Sequence, residues 1–408
     1  MKQTISIQSL KTGMYLIRVV EAEARLHVKR EGVIKSQSTI DNLQSRGVIS
    51  VEIDLSKSES ESINDLDIVD TKNQDADTAS IKPKQTNASK PKILSFEEQQ
   101  QQLAAADKLY TQARSIQSNF VKSLRSGSTP DLDKLHDLTQ DIIDSVFDNP
   151  EALSCLVMLK ESNDYLVQHS LNCSILLSLF GKYKDLSASE VEDLTFSGLL
   201  MDIGMALLPP ELATNNQKFS EADVVVMRTH VDIGVEILER HSDFPDMIYD
   251  VLKHHHERID GSGYLKGLSG QEISVFAQMA GIVDTYDAMI TARPYKGSAS
   301  SQSTLEEMLE DPSFDKALVE DFIKAIGLYP VGSLVHLQSG KLAIVAQANR
   351  KNPLKPKVMS FYSIRGKHHT EIKIIDLNKS SERIKTAVRP EEFDLNLPKF
   401  FRTALYPK

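Results

Sequence analysis

The sequence predicts a multidomain protein whose main unit is all-α, preceded by a small α+β module and followed by a small β-rich segment. Three observations carry this. Apolar residues keep a helical spacing from about residue 130 to 328, strand-like alternation occupies both ends, and a polar stretch at 57–92 separates the first end from the rest. A chain of 408 residues is also longer than one typical domain.

The elements follow in order. In residues 1–56, Thr4-Ile5-Ser6-Ile7, Met14-Tyr15-Leu16-Ile17 and Val48-Ile49-Ser50-Val51-Glu52-Ile53 alternate as strands do, and Thr39 to Arg46 forms a helix between them. Residues 57–92 are mostly Ser, Asp, Asn, Lys and Thr, which bury too little apolar surface to order the chain, so a disordered linker is expected. Residues 93–126 place Leu103, Leu109, Tyr110, Ile116, Phe120 and Leu124 at spacings near three and four, which predicts a connecting helix for signalling or dimerisation. Within 130–328, Ser187 with Glu190 and Ser220 with Asp223 match the Ser-x-x-acid arrangement that caps helix N-termini. In 329–408, Ser333 to Leu337 and Leu342 to Val345 flank Gly340 as a hairpin would.

Composition narrows the function. Hydrophobic residues at 40% and charged residues at 25% describe a globular protein. A net charge of −10 argues against a nucleic acid polymer or an anionic membrane surface as partner, because both select a basic face. There is no signal-peptide core and no apolar run of about eighteen residues, so a cytoplasmic protein without a membrane span is expected. Cys155 and Cys173 have neither metal-knuckle nor disulfide spacing and read as small core residues of a reducing compartment.

The chemistry concentrates in the histidines. Five of the eleven lie between His230 and His256. Imidazole and carboxylate are the usual ligands of borderline and hard metals, and His169, Asp202, His230, His255, His256 and Asp284 all fall on or beside predicted helices that face one another in a bundle. Taken singly, a histidine on an apolar helix face is more often a core residue with one hydrogen bond. Asp202 is different: it follows Phe196-Ser197-Gly198-Leu199-Leu200-Met201, where a buried carboxylate needs a cation or a donor. On residue types alone, a metal site and a structural cluster remain equally open.

Five blocks in order resemble the HD-GYP family. They are Gln168-His169-Ser170 with Asn172; Leu199-Leu200-Met201-Asp202-Ile203-Gly204; His230 with Asp232-Ile233-Gly234; His255-His256-Glu257-Arg258-Ile259-Asp260-Gly261-Ser262-Gly263-Tyr264; and Asp284-Thr285-Tyr286-Asp287-Ala288 with Arg293-Pro294-Tyr295. The resemblance runs from about Lys160 to Gly327, and Leu10 to Tyr15 and Tyr329 to Gly332 resemble the family's flanking modules. It implies an HD-type helical domain that hydrolyses cyclic di-GMP with a divalent transition metal, iron or manganese. It further implies His169, Asp202, His230, His255, His256 and Asp284 as metal ligands, with Asp202 bridging two ions as the catalytic residue. Tyr264, Arg293 and Lys296 would bind substrate, and protein partners in signalling would be expected.

Three positions depart from the family pattern. Met201 stands where the family has histidine, so a soft thioether replaces an imidazole that suits iron or manganese. Met205 stands in place of a lysine that would face the scissile phosphate, and Leu265 replaces a proline in the turn after Tyr264. The expectation is therefore a phosphodiesterase of weakened activity with sub-stoichiometric metal. The alternative is an inactive member that binds cyclic di-GMP or a protein partner. A general nucleotidase of the wider HD superfamily fits less well, because the Gly-Ser-Gly-Tyr block resembles the cyclic di-GMP branch.

Overall fold

The computed structural model describes residues 2–22, 32–34, 40, 48–58, 96–159, 164–209, 211–212, 219–240, 244–291, 299–349, 351–393 and 395. The chain divides into two compact units, Met1–Pro91 and Lys92–Lys408.

In the first unit, β1 (Lys2–Ser6), β2 (Tyr15–Ala22), β3 (Gly32–Val33) and β4 (Val48–Asp54) form an antiparallel sheet in the order β1-β4-β2-β3. Register pairs Ile5 with Val51 and Gln3 with Ile53. Alternation turns Ile5, Val51 and Ile53 into a small core with Ile7, Leu10, Met14 and Leu16. Of the helix expected at Thr39 to Arg46 only buried Ile40 is described, and the linker lies outside the described residues beyond Ser58.

The second unit starts with α1 (Phe96–Ser126), followed by α2 (Leu132–Asp148), α3 (Pro150–Leu159), α4 (Tyr165–Tyr183) and α5 (Ala188–Leu200). A 3-10 turn (Ile203–Leu207) leads to α6 (Glu221–Arg228), α7 (His230–Glu239), α8 (Asp246–His254), α9 (Val275–Ile290), α10 (Ser301–Glu310) and α11 (Lys316–Ile326). Helix α4 is buried on every side from Val167 to Gly181, which makes it the axis of the bundle. Both predicted caps form: Ser187 and Glu190, and Ser220 and Asp223, exchange side-chain and backbone bonds. Among the described residues no helix is long and apolar enough to cross a membrane.

Helix α1, expected as a connector, packs inside this unit. Leu103, Ala106, Tyr110, Ala113, Phe120 and Val121 are buried in the same core as α4 and α5. The three-and-four spacing made one face apolar, and that face is consumed by packing within the chain. The C-terminal sheet joins the same core. It consists of β5 (Leu334–Leu337), β6 (Lys341–Gln347), β7 (Lys357–Ser363), β8 (His368–Asp376) and β9 (Ile384–Ala387), antiparallel in the order β8-β7-β6-β5-β9. Val335, Leu337, Ile344, Val345 and Phe361 are buried in it, and the Ala387 amide donates to Gln302 of α10 at 3.0 Å.

Candidate metal centre

Two close backbone approaches bring the candidate ligands together. Asp202 ends α5 at the turn into Ile203–Leu207, and a Cβ on Gly204 would lie 1.9 Å from the His230 carbonyl oxygen. Only glycine permits that approach, and it sets Asp202 beside the first residue of α7. A Cβ on Gly281 would lie 2.6 Å from the His255 carbonyl oxygen, so α9 presses on the end of α8 and presents Asp284 to His255 and His256. His169 comes from buried α4.

The two oxygens of Asp202 face different partners. Its Oδ2 is 3.2 Å from His169 Nε2, while its Oδ1 is 3.3 Å from His230 Nε2 and 3.9 Å from His255 Nε2. Asp284 repeats the arrangement, with Oδ1 at 2.9 Å from His169 Nε2 and Oδ2 at 3.7 Å from His256 Nδ1. The donor atoms thus form two groups, His169–Asp202–Asp284 and Asp202–His230–His255–His256, each spanning no more than 4.8 Å and sharing Asp202.

The tautomers suit cation binding. His230 Nδ1 donates to the Met227 carbonyl at 2.6 Å, and His255 Nδ1 meets the Val251 and Leu252 carbonyls at 3.1 and 3.0 Å. Each ring therefore turns its Nε2 toward the centre. His255 Nε2 is buried without a hydrogen-bond partner, a costly state for a lone pair aimed at a carboxylate unless a cation lies between them. A mixed nitrogen and oxygen set of this kind matches borderline transition metals such as manganese, iron or zinc.

Behind the donors, His169 Nδ1 lies 2.7 Å from Asp287 Oδ2, and Asn172 Nδ2 donates to Asp287 Oδ1 at 2.9 Å. Burial pushes the His169 pKa down, but Cys173, Tyr165 and the Asp202 and Asp284 carboxylates together raise it well above the usual imidazole value. Burial opposes ionisation of Asp202, yet bonds to His169 and His230 hold its pKa well below the carboxylate range. Burial, followed for His256 by the neighbouring His255, lowers His255 and His256, which leaves them neutral and able to ligate. Burial pushes the Cys173 thiol up to about 12, so it stays protonated behind His169.

All six residues predicted as ligands converge here. Tyr264 stacks on His256, with ring centroids 4.5 Å apart at 22°, and the Arg228 guanidinium lies over the Tyr264 ring at 4.6 Å. Arg293 and Lys296 fall outside the described residues. Met201 is 1% exposed and packs in the apolar core, while Met205 is half-buried in the following turn. Sequence reasoning assigned no role to Asp287, Arg228 or Tyr110. Asp287 had a detectable signal, since it follows Asp284 by three residues on one helix face.

The family model described as "HD domain" matches residues 154–318, "Domain of unknown function (DUF3391)" matches 2–135, and "KOW domain associated with HD domain" matches 334–396. The chain is 30% identical over 386 residues to "Cyclic di-GMP phosphodiesterase PA4108" of Pseudomonas aeruginosa, covering 94% of this chain and 90% of that protein. It is 28% identical over 224 residues to "Cyclic di-GMP phosphodiesterase PdeB" of Borreliella burgdorferi, covering 54% of this chain and 57% of that one. Among solved structures, Bd1817, "a HDG"Y"P protein" of Bdellovibrio bacteriovorus, aligns at 14% identity and a TM-score of 0.47, covering 79% of this chain and 98% of that chain. The length and identity of the Pseudomonas match, together with the HD-domain match across α4 to α9, establish that this chain belongs to the HD-GYP family.

Proposed function

We propose that this chain hydrolyses a phosphodiester bond of cyclic di-GMP at the Asp202 centre, with turnover reduced by Met201 and Met205. The carrying observation is the division of the Asp202 carboxylate, one oxygen toward His169 and the other toward His230 and His255. A shared carboxylate of this kind suits a pair of divalent ions, iron or manganese, which when bound lower the pKa of a water and neutralise charge growing on the phosphate. His169 and Asp284 would hold one ion, and His230, His255 and His256 the other, with Asp202 common to both. Fixed Nδ1 bonds keep the His230 and His255 rings oriented, so little reorganisation accompanies ligation. Tyr264 and Arg228 form the mouth beside His256, where a phosphate or guanine would be met; Arg293 and Lys296 are assigned to the same substrate by the family pattern. The full-length relative named for this activity supports the substrate.

The reduction follows from two missing groups. Met201 offers a thioether where a nitrogen ligand would serve manganese or iron, which predicts fewer than two tightly held ions per chain. Met205 removes a cation near the developing phosphate charge, a loss worth about 3 kcal/mol or roughly a hundredfold in rate. A second reading, a member that binds cyclic di-GMP without cleaving it, is favoured by the burial of Met201 among apolar core residues. Elemental analysis with a cyclic di-GMP hydrolysis assay in manganese separates the two. Slow product formation at sub-stoichiometric metal supports the hydrolase, and binding without product supports the second reading.

A further inference from the structure

Helix α1 reaches the centre from outside the donor set. Tyr110 and Gln117 lie two turns apart on its inner face and are 2% and 1% exposed. The Tyr110 hydroxyl donates to Asn172 Oδ1 at 3.0 Å; Asn172 Nδ2 donates to Asp287 Oδ1 at 2.9 Å; and Asp287 Oδ2 lies 2.7 Å from His169 Nδ1. Group chemistry fixes the direction of this chain. The carboxylate accepts at both ends, so the Asn172 nitrogen must face Asp287, and the Asn172 oxygen must face a donor. The His169 ring must then carry a proton on Nδ1, which holds Nε2 toward Asp202 and Asp284, where a bound cation would take the place of the second ring proton.

Gln117 reinforces the same contact by donating from Nε2 to Ser170 Oγ and to the Leu199 carbonyl, both at 2.9 Å. These partners are the residue after His169 and a residue in the last turn before Asp202. Removing the Tyr110 hydroxyl would leave Asn172 Oδ1, on a fully buried side chain, without this donor. The amide would relieve that cost by shifting, and Asp287 would lose the bond that orients it toward His169.

We propose that Tyr110 is a positioning residue of the metal centre: acting through Asn172 and Asp287, it fixes the His169 ring and so sets the affinity of the His169–Asp202–Asp284 position for a divalent cation. This rests on the reading of the donor set as a metal centre. Its test is a Mn2+ titration of the metal-stripped full chain against a competing fluorescent chelator, with wild type, Tyr110→Phe, Asn172→Ala and the double variant. Tyr110→Phe should weaken one class of Mn2+ position about tenfold and leave the other within about twofold. In the Asn172→Ala background the same substitution should add nothing, because the hydroxyl has no amide left to orient.

Unchanged Mn2+ affinity in Tyr110→Phe overturns the proposal. So does an equal loss at both positions that adds to Asn172→Ala and follows a falling urea midpoint, which is the signature of a merely structural tyrosine. A wild-type chain that takes up no Mn2+ overturns the proposal together with the metal-centre reading. The selective tenfold loss in a chain that leaves cyclic di-GMP intact upholds the proposal and removes the hydrolase reading alone.

Discussion

Replacing Gly204 by alanine tests whether backbone approach builds the centre. The added Cβ would lie 1.9 Å from the His230 carbonyl oxygen and 2.8 Å from the Gly234 nitrogen. Both neighbours are backbone, so no side-chain rotation relieves the clash. The turn must withdraw from α7 by about 1 Å or more to restore ordinary contact. Overpacking of a core by one methyl commonly costs about 1–3 kcal/mol, and a backbone clash belongs at the upper end, near 3 kcal/mol. The same displacement acts on the 3.3 Å separation between Asp202 Oδ1 and His230 Nε2. Donors misplaced by that much should lose at least about tenfold in metal affinity. The chain has no tryptophan, so urea unfolding is best followed by helical circular dichroism, which reports on the helix-rich second unit. A lower midpoint with weakened Mn2+ uptake is expected. A Gly204→Ala chain with the wild-type midpoint and wild-type affinity would refute the argument that this contact sets Asp202 against His230.

Three further outcomes are expected. Met201→His with Met205→Lys should raise cyclic di-GMP hydrolysis well above wild type, and each change alone should help less, because one restores a ligand and the other a charge; a double variant no faster than wild type would show that the methionines are not the defect. Arg228→Ala should raise KM about tenfold and change kcat little, as removal of one charge-assisted contact does, whereas an unchanged KM would place the Arg228–Tyr264 stack outside the substrate path. Mn2+ at a hundred times its Kd should stabilise the second unit by about 2.7 kcal/mol, read as a chelator-reversible rise in the unfolding midpoint, and no shift would argue against binding by the folded donor set.

The donors were legible in the sequence because each lies in a local block: Asp202 before Ile203-Gly204, His255-His256 before the Gly-Ser-Gly-Tyr turn, and Asp284 heading its own block. Gly204 of the Asp202 block proves to be a contact point with α7, so the block that marked Asp202 as a candidate ligand also encodes its approach to His230. The apparatus behind the donors was not legible. Tyr110 meets Asn172 across 62 residues, and along α1 it has the same three-and-four spacing as purely apolar neighbours, so its hydroxyl looked like core. Gln117 sits on the same face and was hidden by the opposite fault: a polar residue there suggests solvent, yet it is buried with two acceptors. The packing of α1 against α4 and α5 was hidden for a related reason, since periodicity reveals an apolar face but does not say what covers it.

The C-terminal strands carry a consequence for how this gene can be cut. The KOW match begins at residue 334, just past the helices, yet Val335, Leu337, Ile344 and Val345 pack in one core with α4, α9 and α11. A fragment ending after Ile326 would leave apolar helical surface bare and should be recovered as aggregate, while a fragment starting at 334 would lack the wall its inner face was shaped against. Shuffling or fusion at this boundary therefore divides one compact unit, and an expression fragment for the centre should run from α1 through β9.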